Sequence, residues 1–370
     1  MIGDQTSRDL VRLEALSDGG FLVGMHTRST GTQQIELRKY SSDLQLIWTK
    51  LLGNQFENKL LHIFEDKDGK ILISGVSIGY GQEEFSLAFH KTWFPFFTLI
   101  DHAGNVAWET FQDEYSAGGA TAVGGSGTLE KVHHIIQDSN GDYFIALNSY
   151  NYINFRGEEY SGMNSNIIRL RPNGEADLPY KFDQSSSLLV LDGMVMSGDD
   201  VHIMCFIKRD GAQRGDEVVI SLKSNLPLRF NAYEQAFLLP WPWEFELVDS
   251  EQPTILSNGD LVFSMTYNGN CYSLGYTPGI NEFKQNSTEG KFSGIAEFHH
   301  TEDDEYVFFL NNKDIVLTNS EFSIESSFHC GFDVKNLTTL KDGSLVVGVN
   351  DEKSVTLVKY ARKGNTYEAE

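Results

Sequence analysis

A short pattern recurs along the chain: a polar turn, then about six residues that are apolar at consecutive positions. Two copies, "SDGGFLVGM" from Ser17 and "KDGSLVVGV" from Lys341, lie near opposite ends of the chain. Aligned on the turn, the apolar stretches begin at Gly20, Lys70, Asp142, Asp200, Asp260, Glu305 and Ser344. Asp-Gly and Asn-Gly turns accommodate the positive φ of a two-residue hairpin loop. The pattern therefore predicts repeated β-hairpins, in which each apolar stretch is the second strand.

The aligned stretches agree column by column. Their fourth column is mostly small, with Met204 and Phe309 as exceptions to Gly24, Ser74, Ala146, Ser264 and Gly348. A third apolar stretch follows each hairpin, and the clearest repeats add a fourth that contains Trp48 or Trp108. Apolar residues at consecutive positions indicate strands that are buried on both faces of their sheet. Four-stranded sheets stacked face to face around an axis provide that burial, and this is the arrangement of a β-propeller.

The sequence thus predicts an all-β fold, a single β-propeller domain over residues 1–370 with seven blades of four antiparallel strands. The fourth and sixth units match the pattern least well, which leaves six or eight blades as alternatives. The approximate blades are 10–53, 60–112, 131–182, 187–237, 245–288, 292–330 and 332–370. Two arrangements are open for the last segment, "GNTYEAE": it pairs within its own blade, or N-terminal residues complete that blade.

The segment "LIDHAGNVAWE", Leu99 to Glu109, combines a turn, an apolar third strand and the pattern G-N-x-x-W. In this it resembles bacterial propellers of the quinoprotein-like and delta-60-like repeat type. The resemblance implies the fold and carries no activity with it. Quinone-binding members use further tryptophan motifs that this sequence lacks, so no cofactor is predicted.

The turns are unevenly spaced, which indicates insertions, and the five longest fall in units two to five: 77–96, 112–130, 149–165, 208–217 and 237–246. In a propeller, the loops between second and third strands and the links between blades share one face. Loops presented by a rigid scaffold commonly carry function. The predicted binding residues are the aromatic side chains of these insertions: Tyr80, Trp93, Tyr150, Tyr152, Phe155, Tyr160, Trp241 and Trp243. The alternative is that the insertions pack on one another as a cap. The glycine-rich link 118–127 is predicted to be a flexible loop.

The chain has 52 acidic and 29 basic residues, a net charge of −23. This argues against nucleic-acid binding and against attachment to an anionic membrane surface. No apolar run is long enough for membrane insertion. A basic protein partner would be attracted electrostatically. The first residues do not resemble a signal peptide, so a cytoplasmic location is expected unless the chain is a mature exported form.

Candidate chemistry is sparse. His62, His133, His134, His299 and His300 lie on or near first strands, which line the central channel of a propeller. They are interpreted as hydrogen-bonded core residues, with a metal site as the alternative. No G-x-S-x-G motif and no complete calcium loop is present, so no catalytic residue and no metal ligand is predicted.

Three functions remain open. The leading hypothesis is a non-catalytic protein-binding scaffold that uses the aromatic loop face of blades two to five. The second is binding or cleavage of a carbohydrate at the same face, where Glu158 and Glu159 lie beside Tyr160. The third is an acidic inhibitor or immunity-type partner of a basic protein, motivated by the net charge.

Overall fold

A computed structural model describes most of the chain. The described residues are 7–29, 32–53, 57–78, 93–111, 125–131, 134–155, 158–176, 180–181, 187–198, 200–209, 216–223, 236–238, 249–250, 254–255, 261–267, 270–277, 282–292, 294–301, 305–311, 313–350, 354–363 and 366–369. They contain strands and turns and no helix, so the part of the chain that is described holds no helix that could span a bilayer. The all-β prediction is confirmed.

The strands of the first three sheets follow the repeat. Sheet 1 contains β1 (Ser7–Ala15), β2 (Phe21–Ser29), β3 (Thr32–Tyr40) and β4 (Leu46–Leu52). Sheet 2 contains β5 (Asn58–Glu65), β6 (Ile71–Ile78), β7 (Trp93–Ile100) and β8 (Val106–Phe111). Sheet 3 contains β9 (Gly125–Lys131), β10 (Ile135–Gln137), β11 (Tyr143–Phe155), β12 (Glu158–Leu170) and β13 (Tyr180–Lys181).

The remaining strands repeat the same order. Sheet 4 contains β14 (Ser187–Ser197), β15 (Asp200–Arg209), β16 (Asp216–Lys223) and β17 (Ala236–Leu238). Sheet 5 contains β18 (Asp249–Ser250), β19 (Thr254–Ile255), β20 (Leu261–Tyr267), β21 (Asn270–Thr277) and β22 (Glu282–Ser287). Sheet 6 contains β23 (Ile295–His300), β24 (Glu305–Leu310), β25 (Asp314–Asn319) and β26 (Ile324–His329). Sheet 7 contains β27 (Val334–Thr339), β28 (Leu345–Asn350), β29 (Val355–Lys363) and β30 (Thr366–Ala369).

The described strands thus pair into seven antiparallel sheets, each built from consecutive strands in meander order. The prediction of a β-propeller made of four-stranded antiparallel sheets is confirmed, with added short strands in sheets 3 and 5. The last segment pairs within its own sheet, because β30 is bonded to β29 from Tyr360↔Ala369 to Lys363↔Thr366. This decides between the two arrangements that the sequence left open.

First strands share an irregularity. Their register with the second strand shifts at equivalent places in five sheets: Leu10/Arg12, Leu60/His62, Leu191/Gly193, Ile295/Glu297 and Val334/Asn336. Each shift marks a β-bulge, which bends the strand and re-aims the neighbouring side chains.

The small column of the second strands receives leucines from neighbouring sheets. A Cβ added at Gly24 would lie 2.2 Å from Leu60 Cδ2, and one added at Gly348 would lie 2.1 Å from Leu10 Cδ2. In sheet 5 the equivalent Ser264 hydroxyl instead bonds the Tyr306 hydroxyl of sheet 6 at 3.0 Å. Small residues therefore recur in this column because the next sheet occupies the space.

The outer ends of sheets 1, 2 and 3 are joined by tryptophans. Trp48 Nε1 donates to His102 O at 2.9 Å, and Trp108 Nε1 donates to Pro172 O at 2.8 Å. Each carbonyl belongs to the turn between the third and fourth strands of the following sheet. The sequence predicted that Trp48 and Trp108 occupy equivalent places, and their identical bonds confirm it.

Candidate functional site

Half of the predicted binding residues lie on one structural feature, a projecting arm of sheet 3. Tyr150, Tyr152 and Phe155 belong to β11, and Tyr160 belongs to β12. Trp93 is the first residue of β7. Tyr80, Trp241 and Trp243 lie outside the described residues. The structure therefore brings four of the eight residues together on two paired strands.

The arm is a long hairpin with a third strand. Strands β11 and β12 pair without interruption from Tyr143↔Leu170 to Phe155↔Glu158. Strand β9 pairs with the same β11 between Asn148 and Ile153. We define the arm as Gly125–Lys131, Asn148–Phe155 and Glu158–Ser165. It lies at the end of sheet 3 where second and third strands are joined, on the face that carries the predicted insertions.

Two sequence-based expectations were wrong here. Residues 149–165 are not an irregular loop, and residues 125–127 of the glycine-rich link are strand and not flexible loop. The physical reason is that the two insertions satisfy their backbone hydrogen bonds on each other in a ladder. The signal that could have shown it is the alternation of aromatic and polar residues at Tyr150, Asn151 and Tyr152.

The register distributes the aromatic residues over both faces of the arm. Because paired residues share a face and neighbours alternate, Tyr150 and Tyr152 lie on one face. Phe155 and Tyr160 lie on the other, since Tyr160 pairs with Ile153. Between Glu158 and Ser165, the described pairing of β12 is with β11 alone. Among the described residues, the outer edges of β9 and of β12 over this range pair with no further strand.

The histidines predicted near first strands lie there and interact electrostatically. His62 and His134 are both buried. Burial holds the pKa of His62 well below its usual range, and the nearby Arg12 and His134 lower that pKa further. Burial, with His300 and Arg12, lowers the pKa of His299 to about 4. The imidazoles of His62 and His299 are therefore neutral at neutral pH.

Arg12 is the permanent positive charge of this histidine group. Its Nε lies 3.5 Å from Glu14 Oε2, and burial raises the pKa of that Glu14 carboxyl. Among the described residues, no three His, Cys, Asp or Glu side chains are placed to share a metal ion. His133 lies outside the described residues. The described parts of the first strands thus hold a charged and imidazole-rich group without metal-site geometry.

A pocket of about 430 Å³ opens where sheets 1 and 7 meet, on the same face as the arm. Its lining is polar: Ser7, Arg8, Asp9, His26, Arg28, Gln33 and Asn350. The sequence did not point to this pocket, because its lining comes from three strands of sheet 1 and from the end of β28. No local motif connects those residues, which become neighbours only because strands of sheets 1 and 7 lie side by side.

Comparison with protein-family models and with curated proteins gives no match for this chain. Among solved structures, an ulvan lyase, a polysaccharide lyase, is similar over 96% of this chain and 95% of its own, with 11% identity and a TM-score of 0.55. A puromycin hydrolase (S511A mutant) is similar over 97% of this chain and 53% of its own, with 10% identity and a TM-score of 0.57. Raptor of Chaetomium thermophilum is similar over 98% of this chain and 29% of its own, with 8% identity and a TM-score of 0.55. At these identities the similarity shows the β-propeller fold.

Proposed function

We propose that this chain is a non-catalytic protein-binding scaffold. Its contact surface is the loop-rich aromatic face of sheets 2 to 5, with the predicted residues Tyr80, Trp93, Tyr150, Tyr152, Phe155, Tyr160, Trp241 and Trp243. The observation that carries the proposal is the arm of sheet 3. A rigid propeller has no structural need for it, since the other sheets are complete with shorter second and third strands.

The arm offers two kinds of contact. Tyrosine and phenylalanine supply large contact areas at low conformational cost, and tyrosine adds a hydrogen-bonding hydroxyl. The outer edge of β12 from Glu158 to Ser165 offers a row of backbone groups to an extended peptide. A partner segment that adds as a strand would receive main-chain hydrogen bonds from the edge and selectivity from the aromatic side chains.

The partner is expected to be basic. With a net charge of −23, the chain attracts positively charged proteins over long range and accelerates their association. The inhibitor-like alternative also relies on this negative charge. It differs from the scaffold proposal because the charge would supply most of the binding affinity. Binding that collapses between low and high salt would favour the inhibitor-like form, because salt screens exposed charges.

A closed ring of seven blades would make the scaffold rigid, and we propose that each sheet is one blade of it. Contacts of β1 with β27 and β28 support closure between the first and last sheets. Leu10 N donates to Asn350 Oδ1 at 2.9 Å, and Leu13 N donates to Asn336 Oδ1 at 2.7 Å across the same seam.

The test removes the arm and leaves the propeller. Residues 149–165 are replaced by an Asn-Gly turn, and a second variant changes Trp93, Trp241 and Trp243 to alanine. Partners captured from lysate are identified and purified, and their Kd is measured with each variant. We expect at least a tenfold loss of affinity in both, with a thermal unfolding midpoint close to that of the unmodified chain.

The matched control is Phe332→Ala, because Phe332 is an exposed aromatic residue in the link between sheets 6 and 7, outside the proposed surface. It should bind like the unmodified chain. Equal affinity of the arm variant and the unmodified chain for every purified partner would overturn the proposal.

A carbohydrate ligand on the same arm is the second candidate. The register places Glu158 opposite Phe155 and Glu159 opposite Asn154, so acidic and aromatic residues lie together at the tip. Aromatic platforms flanked by carboxylates suit sugar rings. Glycan-array screening and assays for polysaccharide cleavage test this, and the absence of both binding and cleavage would remove the candidate.

A further inference from the structure

Strand β4, the outer strand of sheet 1, exposes large apolar side chains. Leu46, Ile47 and Leu51 are 53%, 55% and 58% exposed. From Ile47 to Leu51, exposed and partly buried residues alternate, which is the pattern of a strand with one open face. The exposed apolar residues therefore lie together on one strand and are not scattered over the surface.

The one charged side chain of β4 is engaged by the neighbouring sheet. Lys50 Nζ donates to Gly104 O of sheet 2 at 2.8 Å. The described outer strands of other sheets differ, since each exposes a charged side chain: Glu109 of β8, Lys284 of β22, Glu325 of β26 and Glu368 of β30. Charged residues on outer strands hinder edge-to-edge pairing, and β4 lacks this protection.

The outer backbone edge of β4 is open within the described part of the chain. Strand β4 pairs with β3 from Ile35↔Leu52 to Tyr40↔Leu46, and no other described strand is bonded to it. Such an edge presents a row of N–H and C=O groups to a further strand. Its apolar side chains add a contact surface beside those groups.

The residue order of β4, "LIWTKLL", is complementary to itself when two copies run antiparallel. With Thr49 opposite Thr49 of a second copy, Ile47 lies opposite Leu51. Lys50 lies opposite Trp48, so no like charges face each other across the pair. A strand from a basic protein gains no such match, because β4 contains no carboxylate.

We propose that this chain forms a homodimer by antiparallel pairing of β4 with β4 of a second copy, around a twofold axis at Thr49. One pair of seven-residue strands buries less than the roughly 1,600 Å² of a standard interface, so the dimer is weak and forms as concentration rises. The edge lies outside the arm, so this inference does not depend on the proposed function.

Salt distinguishes this association from the binding of a basic partner. Two copies that each carry a net charge of −23 repel one another, and added salt screens that repulsion. The homodimer therefore strengthens as salt is added, whereas the attraction of a basic partner weakens.

Sedimentation equilibrium of the full chain, from about 1 µM to about 1 mM, measures the Kd of the dimer. We expect the average mass to rise from monomer toward dimer, and the Kd to fall when NaCl is raised from about 0.05 to about 0.5 M. Ile47→Lys should raise the Kd about tenfold or more, because it adds a charge to the paired edge. The matched control is Ile324→Lys, 54% exposed on the outer strand of sheet 6, which should leave the Kd unchanged.

A cysteine at the twofold axis tests the register. Facing Cα atoms of an antiparallel pair lie about 4.5–5.5 Å apart, which is within disulfide range. With oxidised glutathione as the oxidant, Thr49→Cys should give a disulfide-linked dimer on a non-reducing gel. Ser327→Cys, at an exposed position of β26, is the control and should give much less.

A pair of opposite charges tests the same register without a covalent bond. Ile47→Lys and Leu51→Glu should each weaken the homodimer. A mixture of the two variants should associate more tightly than either variant alone, because the register sets the new lysine of one copy opposite the new glutamate of the other.

Three results would overturn the proposal: a monomer at every concentration, an Ile47→Lys Kd equal to that of the unmodified chain, or cross-linking of Thr49→Cys no faster than that of Ser327→Cys. A monomeric chain that loses a lysate protein on Ile47→Lys would assign the edge to a foreign strand, and would also overturn it.

Discussion

The turns between third and fourth strands are built in two ways. In sheets 2 and 3 the last turn residue is glycine, Gly104 and Gly174, with φ of 84° and 86°. In sheets 1 and 6 the same place holds Leu44 and Phe322, with φ of 59° and 57°. All four residues donate their N–H to the residue three positions earlier, so the turn itself is the same.

The difference lies in which sheet fills the space over the turn. Trp48 and Trp108 of the preceding sheets cover the two glycines: a Cβ at Gly104 would lie 3.2 Å from Trp48 Cδ2, and one at Gly174 would lie 2.8 Å from Trp108 Cδ2. In sheet 6 the turn residue fills the space itself, since the Phe322 ring is fully buried.

The hydrogen bond persists in both designs. Asn286 Nδ2 of sheet 5 donates to Ser320 O at 3.1 Å, at the turn position that His102 and Pro172 hold elsewhere. Two features thus recur at these junctions: a side chain that fills the space over the turn, and a hydrogen-bond donor to one turn carbonyl. Different residues supply them in different sheets. A search for a repeated tryptophan alone would miss the sheet 5 and 6 junction.

Removing the ring of Phe322 should have the largest effect. Its ring packs 4.8 Å from that of Tyr306 and 5.7 Å from that of Phe308, between centroids. We expect Phe322→Ala to lower the free energy of unfolding by about 3–5 kcal/mol, because it leaves a cavity in a buried aromatic cluster. Urea denaturation measures this, and a loss below about 1 kcal/mol would show that the cluster tolerates the cavity.

A methyl group added under Trp108 should have the second largest effect on the free energy of unfolding. Gly174→Ala forces a Cβ into the indole and places alanine at positive φ, and we expect a loss of about 2–3 kcal/mol. The control is Gly290→Ala, which has a φ of 75° and nothing within 4 Å of the added Cβ. It should cost only about 1–2 kcal/mol from the backbone, and equal losses in the two variants would contradict a tryptophan contact.

Removing only the hydrogen-bond donor to the turn carbonyl should lower the free energy of unfolding by less. Trp108→Phe keeps an aromatic ring over Gly174 but loses the bond to Pro172 O, at an expected cost of about 1 kcal/mol. Asn286→Ala should cost about the same, if the two donors are equivalent. Thermal unfolding of both variants compares them directly, and a clear difference would break the equivalence of the two junctions.

Replacing the leucine turn of sheet 1 with a glycine turn should change the free energy of unfolding least. Leu44→Gly relieves a leucine at positive φ, a gain of about 1–2 kcal/mol, and loses the packing of a partly buried side chain, a similar amount. We expect the unfolding free energy to stay within about 0.5 kcal/mol of its original value. A large loss would mean that Leu44 fills its junction as fully as Phe322 does.

Much of the fold could be predicted from local patterns. Asp-Gly and Asn-Gly turns, consecutive apolar residues and the small fourth column all reflect short-range geometry that repeats along the chain. The small column also indicated a contact between sheets, because the side chains of Leu60 and Leu10 occupy the space beside Gly24 and Gly348. The bulges of the first strands were not predictable, since they depend on how neighbouring sheets fit together.

The candidate sites were less accessible to sequence reasoning. The arm was located correctly as an insertion but misread as a loop, because pairing between β9 and β11 joins two insertions. The histidines were assigned to first strands correctly, whereas Arg12 and Glu14 were overlooked among them. The pocket was missed because Arg8 and Asn350 become neighbours only when the chain ends meet.

Each described sheet is made from one continuous stretch of chain. Among the described residues, the seam between the first and last sheets is held by hydrogen bonds to Asn350 and Asn336 and not by a shared strand. A gene encoding the proposed ring can gain or lose one whole repeat by a single duplication or deletion without splitting any described sheet. In that ring, the same seam is the place where mechanical pulling on β1 and β30 would first separate two neighbouring sheets, with the described sheets still intact.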